Sequence, residues 1–286
     1  MELKQMKYFK TIVEAGTISQ AARVLHISQP PLSMQLKAIE TELDTVLIER
    51  GHRHITLTPA GQLFYRRCNQ ILSLYDMTCL EVHNAATEIL RFGITSSNGY
   101  VINHDQMSVF RKEYPKLDIH MKEGTTYEMI DALLNHEVDI ALVRTPFDST
   151  NVQSFLFKAE PMVAVGPKNL VNTKKNHLLD YRDDPLLIHR RYRQFVIDYC
   201  LNELQFQPHI PIITDDIRTA LVWGALLDQV VIMPEAALPY IDKEVQTYTR
   251  LVDKGLYTSA AFITRKEKLS PVIETFISLV IKDYKV

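Results

Sequence analysis

Short polar and cationic segments follow several apolar runs in the part of the sequence beyond residue 88. They are Thr95-Ser96-Ser97-Asn98, Gly124-Thr125-Thr126, Arg144-Thr145 and His189-Arg190-Arg191. Hydroxyls, backbone donors at a helix start and guanidinium groups suit a small anion, because arginine matches a carboxylate through two hydrogen bonds. We therefore predict a site for a small organic anion that is made by Thr95, Ser96, Ser97, Thr125, Thr126, Arg144 and Arg190. The alternative is that the hydroxyls only cap helices; Arg191 and Arg193 are expected to face solvent.

A second group of polar side chains, near the N-terminus, has the composition of a DNA-contacting surface. Leu32, Leu36, Ile39 and Leu43 recur on one face of a predicted helix. The opposite face carries Pro30, Met34, Lys37 and Thr41, flanked by Gln29 and Ser33. Because this face is short, polar and almost free of acidic residues, it suits a major groove. The alternative is the solvated face of an ordinary surface helix.

The elements around that helix predict a helix-turn-helix. An amphipathic helix from Leu3 to Val13 ends near Gly16, and Thr17-Ile18-Ser19-Gln20 then forms a capping box for a short second helix. Ser28 is a good N-cap for the third helix, and Pro30 and Pro31 fall in its first turn, where a missing N–H group is tolerated. This order of elements is typical of the DNA-binding motif: a helix, a short capped helix, a tight turn and a helix that begins with proline.

Two short alternating runs, Val46–Arg50 and Ile55–Thr58, flank a tip that contains Gly51, His52, Arg53 and His54. This pattern predicts a β-hairpin, or wing. A cationic tip beside a helix-turn-helix is expected to contact phosphates or the minor groove, with Arg50, His52 and Arg53 as candidates. The alternative is a loop that happens to be basic.

A long helix is predicted to start at Thr58-Pro59. Its apolar residues follow a 4-3-4-3 spacing and are Phe64, Cys68, Ile71, Tyr75, Thr78, Val82 and Ala85. A long helix with a narrow apolar seam needs a partner helix, so we predict that this segment forms a dimer. Cys68 and Cys79 lie near the seam and are expected to be packing residues.

Beyond residue 88, apolar runs alternate with helical patterns, which predicts an α/β architecture. Ile89–Thr95, Leu117–Glu123 and Val138–Val143 read as parallel strands with helices between them. A second α/β unit runs from Met162 to Met233, followed by a late strand at Ala260–Thr264 and a final helix at Val272–Ile281. Ligands of α/β sheets bind beyond the carboxyl ends of the strands, where the polar segments described first would lie.

Composition excludes several classes of protein. The chain has 286 residues, 46% hydrophobic and 23% charged, and a formal net charge of -2, unlike a protein held to nucleic acid by bulk positive charge. That near-neutral charge also argues against an architectural DNA-binding protein without a ligand. No secretory leader and no membrane span are predicted, so we expect a cytoplasmic protein.

We expect no metal, no cofactor and no enzymatic activity. The three cysteines, Cys68, Cys79 and Cys200, are too widely spaced for a zinc site or a disulfide framework. There is no H-x-x-x-H, G-x-G-x-x-G or P-loop motif, and Cys200 falls on an amphipathic helix. An enzyme in the second part of the chain is the competing class of function.

The sequence resembles the LysR-type transcriptional regulators. The resemblance is dense in Ala21-Ala22, Ser28-Gln29-Pro30-Pro31-Leu32-Ser33, Gln35-Leu36, Glu40-x-Glu42-Leu43, Leu47-x-x-Arg50 and Leu57-Thr58-Pro59-Ala60-Gly61. It continues in Leu90–Ile94, Phe110-x-x-x-Tyr114-Pro115, Glu123-Gly124 and Val138–Ala141, so that it covers essentially the whole chain.

The resemblance implies a fold of class α + α/β. A winged helix-turn-helix would occupy residues 1–58, a linker helix that dimerises 59–87, and a two-lobed effector domain similar to periplasmic solute-binding proteins 88–286. The first lobe would comprise about 88–160 and 265–286, and the second about 161–264. A small effector, expected to be a carboxylate, would bind between the lobes and change the geometry of a homotetramer on bacterial promoter DNA, with RNA polymerase as a further partner.

The resemblance also implies which residues face DNA: Gln29, Pro30, Pro31, Ser33 and Lys37 on the recognition helix and Arg53 on the wing. We add Thr17, Ser19, Ser28, Met34, Arg50 and His52 to this candidate surface. The chain departs from the family at two places. Position 34 is often arginine in similar proteins but is Met34 here, so base preference does not carry over. The second lobe has Trp223 and lacks a glycine in a turn that is usually rich in glycine, which changes the expected cleft wall.

Overall fold

The computed structural model describes residues 1–50, 54–83 and 88–282, apart from the side chains of Arg50, Leu80, Glu81 and His83. The chain forms two compact units. One is Met1–Glu88 together with Leu134–Glu137, and the other is Ile89–Leu133 together with Val138–Val286. Within the described residues, no helix has the length and apolar character that a membrane crossing requires.

The N-terminal unit is a winged helix-turn-helix followed by a long helix. Its elements are α1 (Leu3–Ala15), α2 (Ile18–Val24), α3 (Gln29–Glu42), β1 (Ile48–Arg50), β2 (Ile55–Leu57) and α4 (Pro59–His83). Strands β1 and β2 pair antiparallel. Leu32, Leu36 and Ile39 of the predicted apolar stripe are buried in the core with α1, whereas Leu43, which follows the last residue of α3, is 36% exposed. The ring centres of Phe9 and Phe64 lie 4.8 Å apart, which packs α4 onto the same core.

Local chemistry explains the turns of this unit. Gly16 ends α1 with φ 71°, a left-handed conformation that glycine adopts without strain. The hydroxyl of Thr17 accepts a hydrogen bond from the backbone N–H of Gln20, as the capping pattern predicts. Ser28 is the N-cap of α3, and its side chain makes no capping hydrogen bond. The Glu40 carboxylate accepts from the backbone N–H groups of Leu47 and Ile48 and so fixes the start of the wing.

The second unit contains two lobes, each built on one sheet. Its strands are β3 (Ile89–Ile94), β4 (Asp118–Glu123), β5 (Ile140–Arg144), β6 (Val152–Leu156), β7 (Glu160–Gly166), β8 (Leu186–His189), β9 (Ile212–Thr214), β10 (Val230–Pro234), β11 (Thr247–Arg250), β12 (Tyr257–Thr258) and β13 (Ala260–Arg265). Its helices are α5 (His104–Glu113), α6 (Thr126–Leu134), α7 (Arg190–Asn202), α8 (Ile217–Leu226) and α9 (Pro271–Ile281).

The first sheet has the order β4-β3-β5-β13-β6 and the second the order β11-β7-β10-β8-β9, with β12 beside β7. Strands β3, β4 and β5 are parallel, as are β8, β9 and β10, whereas β13 pairs antiparallel with β5 and β6. Residues 260–264 were expected in the second lobe, but β13 belongs to the first sheet. Strands β6, β11 and β12 were not predicted. The fold class predicted from the sequence is confirmed.

Candidate functional site

A small cavity lies beyond the carboxyl ends of β3, β5 and β8, between the two lobes of the second unit. It has about 260 Å³ of empty space, part of it open to solvent. The lining residues are Thr95, Ser96, Ser97, Gly124, Thr125, Thr126, Arg144, His189, Arg191 and Tyr192. The predicted polar segments therefore do meet at one place. Those after β3, β4 and β5 share the carboxyl edge of the first sheet, and the segment after β8 faces them from the second sheet.

Arg144, the last residue of β5, is fully buried and held from several sides. Its Nε donates to Asn98 Oδ1 at 3.1 Å, and its Nη1 donates to Glu160 Oε1 at 2.5 Å and to Thr258 Oγ1 at 3.0 Å. Its Nη2 is buried without a hydrogen-bond partner. The positive charge of Arg144 is thus already paired with a carboxylate, while the Nη2 amino group of the guanidinium has no hydrogen-bond acceptor.

Arg190 and Arg191, the first two residues of α7, have the opposite environments from those predicted. Arg190, a predicted member of the site, is exposed and forms a two-point ion pair with Asp215, at 2.6 Å and 3.0 Å. Arg191, expected to face solvent, lines the cavity, and its Nη2 donates to the carbonyl oxygens of Arg144 and Pro146. The prediction for Arg190 is wrong because the first turn of the helix directs successive side chains about 100° apart, and the side chain at 191 is the one directed inward.

Several buried polar atoms around the cavity have no hydrogen-bond partner in the described part of the chain. They are Thr126 Oγ1, Arg144 Nη2, Arg191 Nε and Nη1, and Tyr192 Oη. Buried polar groups in folded proteins are nearly always paired with protein or ordered water, since an unpaired one costs roughly 1–3 kcal/mol. A polar ligand or bound water would supply hydrogen-bond partners for these five atoms.

The remaining predicted hydroxyls have different roles. Thr95 Oγ1 accepts from Asn98 Nδ2 at 3.0 Å, and Ser96 Oγ accepts from the backbone N–H of Ile217, in the second lobe, at 3.4 Å. Thr125 exchanges hydrogen bonds with Glu128 and so caps α6, which is the alternative role foreseen for these residues. Ser97 is buried, lies beside the Tyr192 hydroxyl and lines the cavity.

Burial shifts the titration of three cavity residues. It lowers the pKa of the Arg191 guanidinium and of the His189 imidazole, and it raises the pKa of the Tyr192 hydroxyl. His189 Nδ1 accepts from the backbone N–H of Arg191 at 3.2 Å, an interaction that requires an unprotonated nitrogen. The guanidinium of Arg191 lies 5.9 Å from the ring centre of Tyr127 and 6.0 Å from that of Tyr192. The cavity wall therefore combines a buried cation with aromatic faces and neutral donors.

Two further contacts join the lobes. Arg218 Nη2, on α8, donates to Glu123 Oε1, at the end of β4, at 2.7 Å. The rings of Tyr100 and Tyr240 lie 4.8 Å apart. Sequence reasoning missed Arg191, His189, Tyr192 and Arg218 as contributors, because their roles depend on side-chain direction and on contacts between distant segments.

The candidate DNA surface on the N-terminal unit is largely exposed. Ser19, Ser28, Gln29, Pro30 and Lys37 are exposed, Thr17 and Ser33 are partly buried, and Met34 is 71% exposed. Ser19 Oγ lies 3.0 Å from Gln29 Oε1, a hydrogen bond that connects α2 to the start of α3. Pro31 is exposed as well, and it also lines a shallow groove with Glu2, Tyr8 and Gln35 beside α1.

Two expectations for the wing concern residues outside the described ranges. His52 and Arg53 are not among the described residues, and for Arg50 only the backbone, at the end of β1, is described. The predicted cationic tip of the wing therefore remains a prediction.

The apolar seam of α4 divides into two parts. Phe64 and Cys68 pack into the core of the N-terminal unit, whereas Ile71, Tyr75 and Val82 are 41%, 45% and 72% exposed. Ala85 lies outside the described residues. Cys68 and Cys200 are buried in cores, and burial raises the pKa of each thiol to about 12. Cys79 is exposed, so the expectation that it packs is wrong for this chain taken alone. No cluster of three or more metal-ligating side chains occurs in the described residues.

Comparisons with known proteins agree with this architecture. The family model of the LysR substrate binding domain matches residues 83–284. The model of the bacterial regulatory helix-turn-helix protein, lysR family, matches residues 3–62. The two matches cover the two parts of the chain that carry the cavity and the helix-turn-helix.

Individual relatives match along nearly the full length. The transcriptional regulator CatR of Pseudomonas putida is 26% identical over 287 residues, which cover 98% of this chain and 98% of CatR. AlsR of Bacillus subtilis is 27% identical, covering 98% of this chain and 95% of AlsR. The crystal structure of CbnR, a LysR family transcriptional regulator, has a TM-score of 0.71 at 24% identity over 100% of both chains, and CbnR complexed with its target DNA has a TM-score of 0.69. The chain belongs to the LysR family of DNA-binding transcriptional regulators, with an effector-binding domain after the helix-turn-helix.

Proposed function

We propose that this protein is a bacterial, cytoplasmic transcription regulator whose binding to promoter DNA is controlled by a small organic anion held between the lobes of its second unit. The observation that carries the proposal is the guanidinium of Arg191, which has no carboxylate partner and whose Nε and Nη1 are buried, beside three other buried polar atoms without hydrogen-bond partners, those of Thr126, Arg144 and Tyr192. An anion at this position would supply a counter-charge and several hydrogen-bond acceptors together. No catalytic step is needed for this role.

DNA recognition is assigned to the exposed side of α3. Gln29, Pro30, Ser33, Met34 and Lys37 are the proposed contacts, with Thr17, Ser19 and Ser28 near the backbone of the duplex. Because Glu40 binds the start of the wing, its charge is directed away from this surface. The wing residues Arg50, His52 and Arg53 complete the proposal as phosphate or minor-groove contacts. RNA polymerase is the proposed partner once the protein is bound to a promoter.

A homo-oligomer is part of the proposal, with a dimer formed through α4 and a tetramer formed from two dimers. The exposed apolar side chains of α4, Ile71, Leu74, Tyr75 and Val82, would be covered by the same helix of a second copy. On the second lobe, Val222, Trp223 and Leu226 of α8 form another exposed apolar surface. Such surfaces are uncommon on monomers and support assembly.

In this mechanism the anion has different affinities for two arrangements of the lobes. Contacts from α6 and β5 in the first lobe and from α7 in the second would be made together only when the lobes are close. Differential affinity then biases one form of the oligomer and so changes its contacts with DNA. In this proposal the DNA-binding domain ends near residue 58 and the effector-binding domain begins near residue 88, so that α4 links the two along the chain.

The test compares Arg191→Gln with the matched control Arg190→Gln, since both remove one positive charge from the first turn of α7. A DNA sequence that the full-length protein binds is first selected from a random pool. The dissociation constant of the protein–DNA complex is then measured with and without each of a series of short organic acids. We expect at least one acid to change the constant about fivefold or more in the wild type and in Arg190→Gln, and to have no effect in Arg191→Gln.

Two results would contradict the proposal at different points. Failure of the full-length protein to select any DNA sequence would remove the regulatory role. An equal response of wild type and Arg191→Gln to the same acid would remove the cavity as the effector site while leaving DNA binding in place.

A further inference from the structure

The charges around the cavity do not cancel. Two guanidinium groups, those of Arg144 and Arg191, line it, and no carboxylate is among its lining residues in the part of the chain that the structure describes. Glu160 stands behind Arg144, at 2.5 Å from its Nη1, and so compensates one of the two positive charges. No ion pair of Arg191 is present among the described residues, so the cavity carries one uncompensated positive charge.

We infer that the effector is a small monoanion, such as a short monocarboxylate, and that Glu160 determines this preference by neutralising Arg144. The inference rests on the proposed function, because it concerns the same cavity. A dianion would place its second negative charge beside a guanidinium that Glu160 has already neutralised. That second charge would lose its hydration without gaining a cation, which is unfavourable in a buried site.

Glu160 is itself well positioned for this role. Its Oε1 also accepts from the backbone N–H of Ala236 at 3.0 Å, so the carboxylate is anchored to the second lobe. Thr258 and Asn98 orient the other N–H groups of Arg144. As a result Arg144 offers only its Nη2 to a ligand, as a hydrogen-bond donor whose charge is shared with Glu160. Arg191 remains the partner for the ligand's charge.

The size of the cavity also favours a small ligand. A water-sized sphere reaches only about 10 Å³ of it in this structure, room for on the order of one water molecule. A ligand therefore enters only when the lobes move apart, and a short carboxylic acid needs the smallest displacement. Its oxygen atoms would then be available to Thr126, Ser97 and Tyr192.

The experiment compares acids that match in carbon number and differ in charge. Calorimetric titrations of the full-length protein at constant ionic strength and pH 7.5 would use propionate against malonate and butyrate against succinate. In the wild type we expect each monoanion to bind at least about tenfold more tightly than its dianionic match. Propionamide, which is neutral, should not bind detectably.

The decisive variant is Glu160→Gln, which keeps an acceptor oxygen for Arg144 and Ala236 but removes the negative charge. We expect its preference to move toward malonate and succinate by at least about tenfold relative to wild type. Glu274→Gln, on the exposed side of α9, removes the same charge away from the cavity and should leave the preference unchanged. Circular dichroism and DNA affinity without acid would establish that each variant is folded; should Glu160→Gln not fold, the wild-type comparison of matched acids decides.

The outcomes separate this inference from the proposed function. Tighter binding of the dianions by the wild type, or an unchanged preference in folded Glu160→Gln, would overturn the inference and leave the effector site in place. Absence of binding for all four acids, together with no effect of any acid on DNA affinity, would overturn both.

Discussion

Arg144 Nη1 and Glu160 Oε1 lie 2.5 Å apart, and the arginine side chain is fully buried whereas the glutamate side chain is 26% exposed. The pair joins the end of β5, in the first lobe, to the start of β7, in the second. Arg144 is therefore part of the frame of the effector domain as well as a wall of its cavity. A substitution of Arg144 would disturb the stability of the domain before it reports on ligand binding.

Removing one member of this pair should destabilise the protein strongly. We expect Arg144→Met to lower the free energy of unfolding by about 3 kcal/mol, because it leaves Glu160, Asn98 and Thr258 without their shared donor. The double variant Arg144→Met/Glu160→Met should recover a part of that loss, since no unpaired charge remains. Urea unfolding of the three proteins measures both effects, and additive losses in the double variant would show that the charges are not coupled.

Lys37 should contribute to the salt dependence of DNA binding. It is exposed on α3, and we expect Lys37→Ala to reduce the slope of log binding constant against log salt concentration by about one unit. Lys174→Ala, which removes an exposed lysine of the effector domain, is the matched control and should not change the slope. Fluorescence anisotropy over a range of salt concentrations gives the slopes, and an unchanged slope in Lys37→Ala would exclude a phosphate contact.

Gly61 should tolerate no side chain. A Cβ atom at this position would lie 2.0 Å from the carbonyl oxygen of Leu47, so Gly61→Ala must displace the backbone between the third helix and the wing. We expect a loss of at least about 2 kcal/mol in the free energy of unfolding. Gly16→Asn is the control, because nothing lies within 4 Å there and asparagine tolerates its left-handed backbone. Equal unfolding midpoints for Gly61→Ala and wild type would contradict the predicted clash.

His189 should make stability depend on pH near neutrality. Burial holds its pKa below the ordinary value of about 6.5, so the unfolded chain takes up the proton first as the pH falls. The stability that this residue contributes is therefore complete above about pH 6.5 and is lost as the pH falls below it, by up to about 1.4 kcal/mol per pH unit.

The matched variant for this prediction is His189→Asn, which retains a side-chain acceptor for the N-terminus of α7 but does not titrate. Urea unfolding at pH 7, 6 and 5 should show a smaller decrease in the free energy of unfolding for His189→Asn than for wild type. Parallel decreases in the two proteins would assign the pH dependence to other groups.

The N-terminal unit could be predicted from the sequence in most of its detail because its structure is encoded locally. The capping residue Thr17, the left-handed Gly16 and the prolines at the start of α3 act within one turn of the chain. The stripe of Leu32, Leu36 and Ile39 repeats at the helical period, and its burial follows directly. The exception is α4, whose seam is divided between a core that holds Cys68 and an exposed part beginning at Ile71.

The effector domain was predictable only in outline. Alternating apolar runs indicated the parallel strands of each lobe, and polar residues after β3 and β5 marked the edge where the cavity lies. Strand β13 was predicted in the second lobe because it follows the strands of that lobe in the sequence. In the structure the chain returns to the first sheet at this strand, after the other strands of the second sheet. Nothing local distinguishes a strand that pairs with β5 from one that pairs with β10.

The sequence by itself thus determined the fold class, the family, the helix-turn-helix surface and the polar character of the cavity edge, since each depends on residue type and short-range spacing. Only the tertiary structure decided which charges remain uncompensated. Arg190 and Arg191 are adjacent in sequence, yet Asp215 pairs with the first while the second lies buried without a carboxylate. Arg144 and Glu160 are 16 residues apart and become partners only when both sheets are formed. Charge pairing between distant segments depends on distances in three dimensions, which residue order alone does not specify.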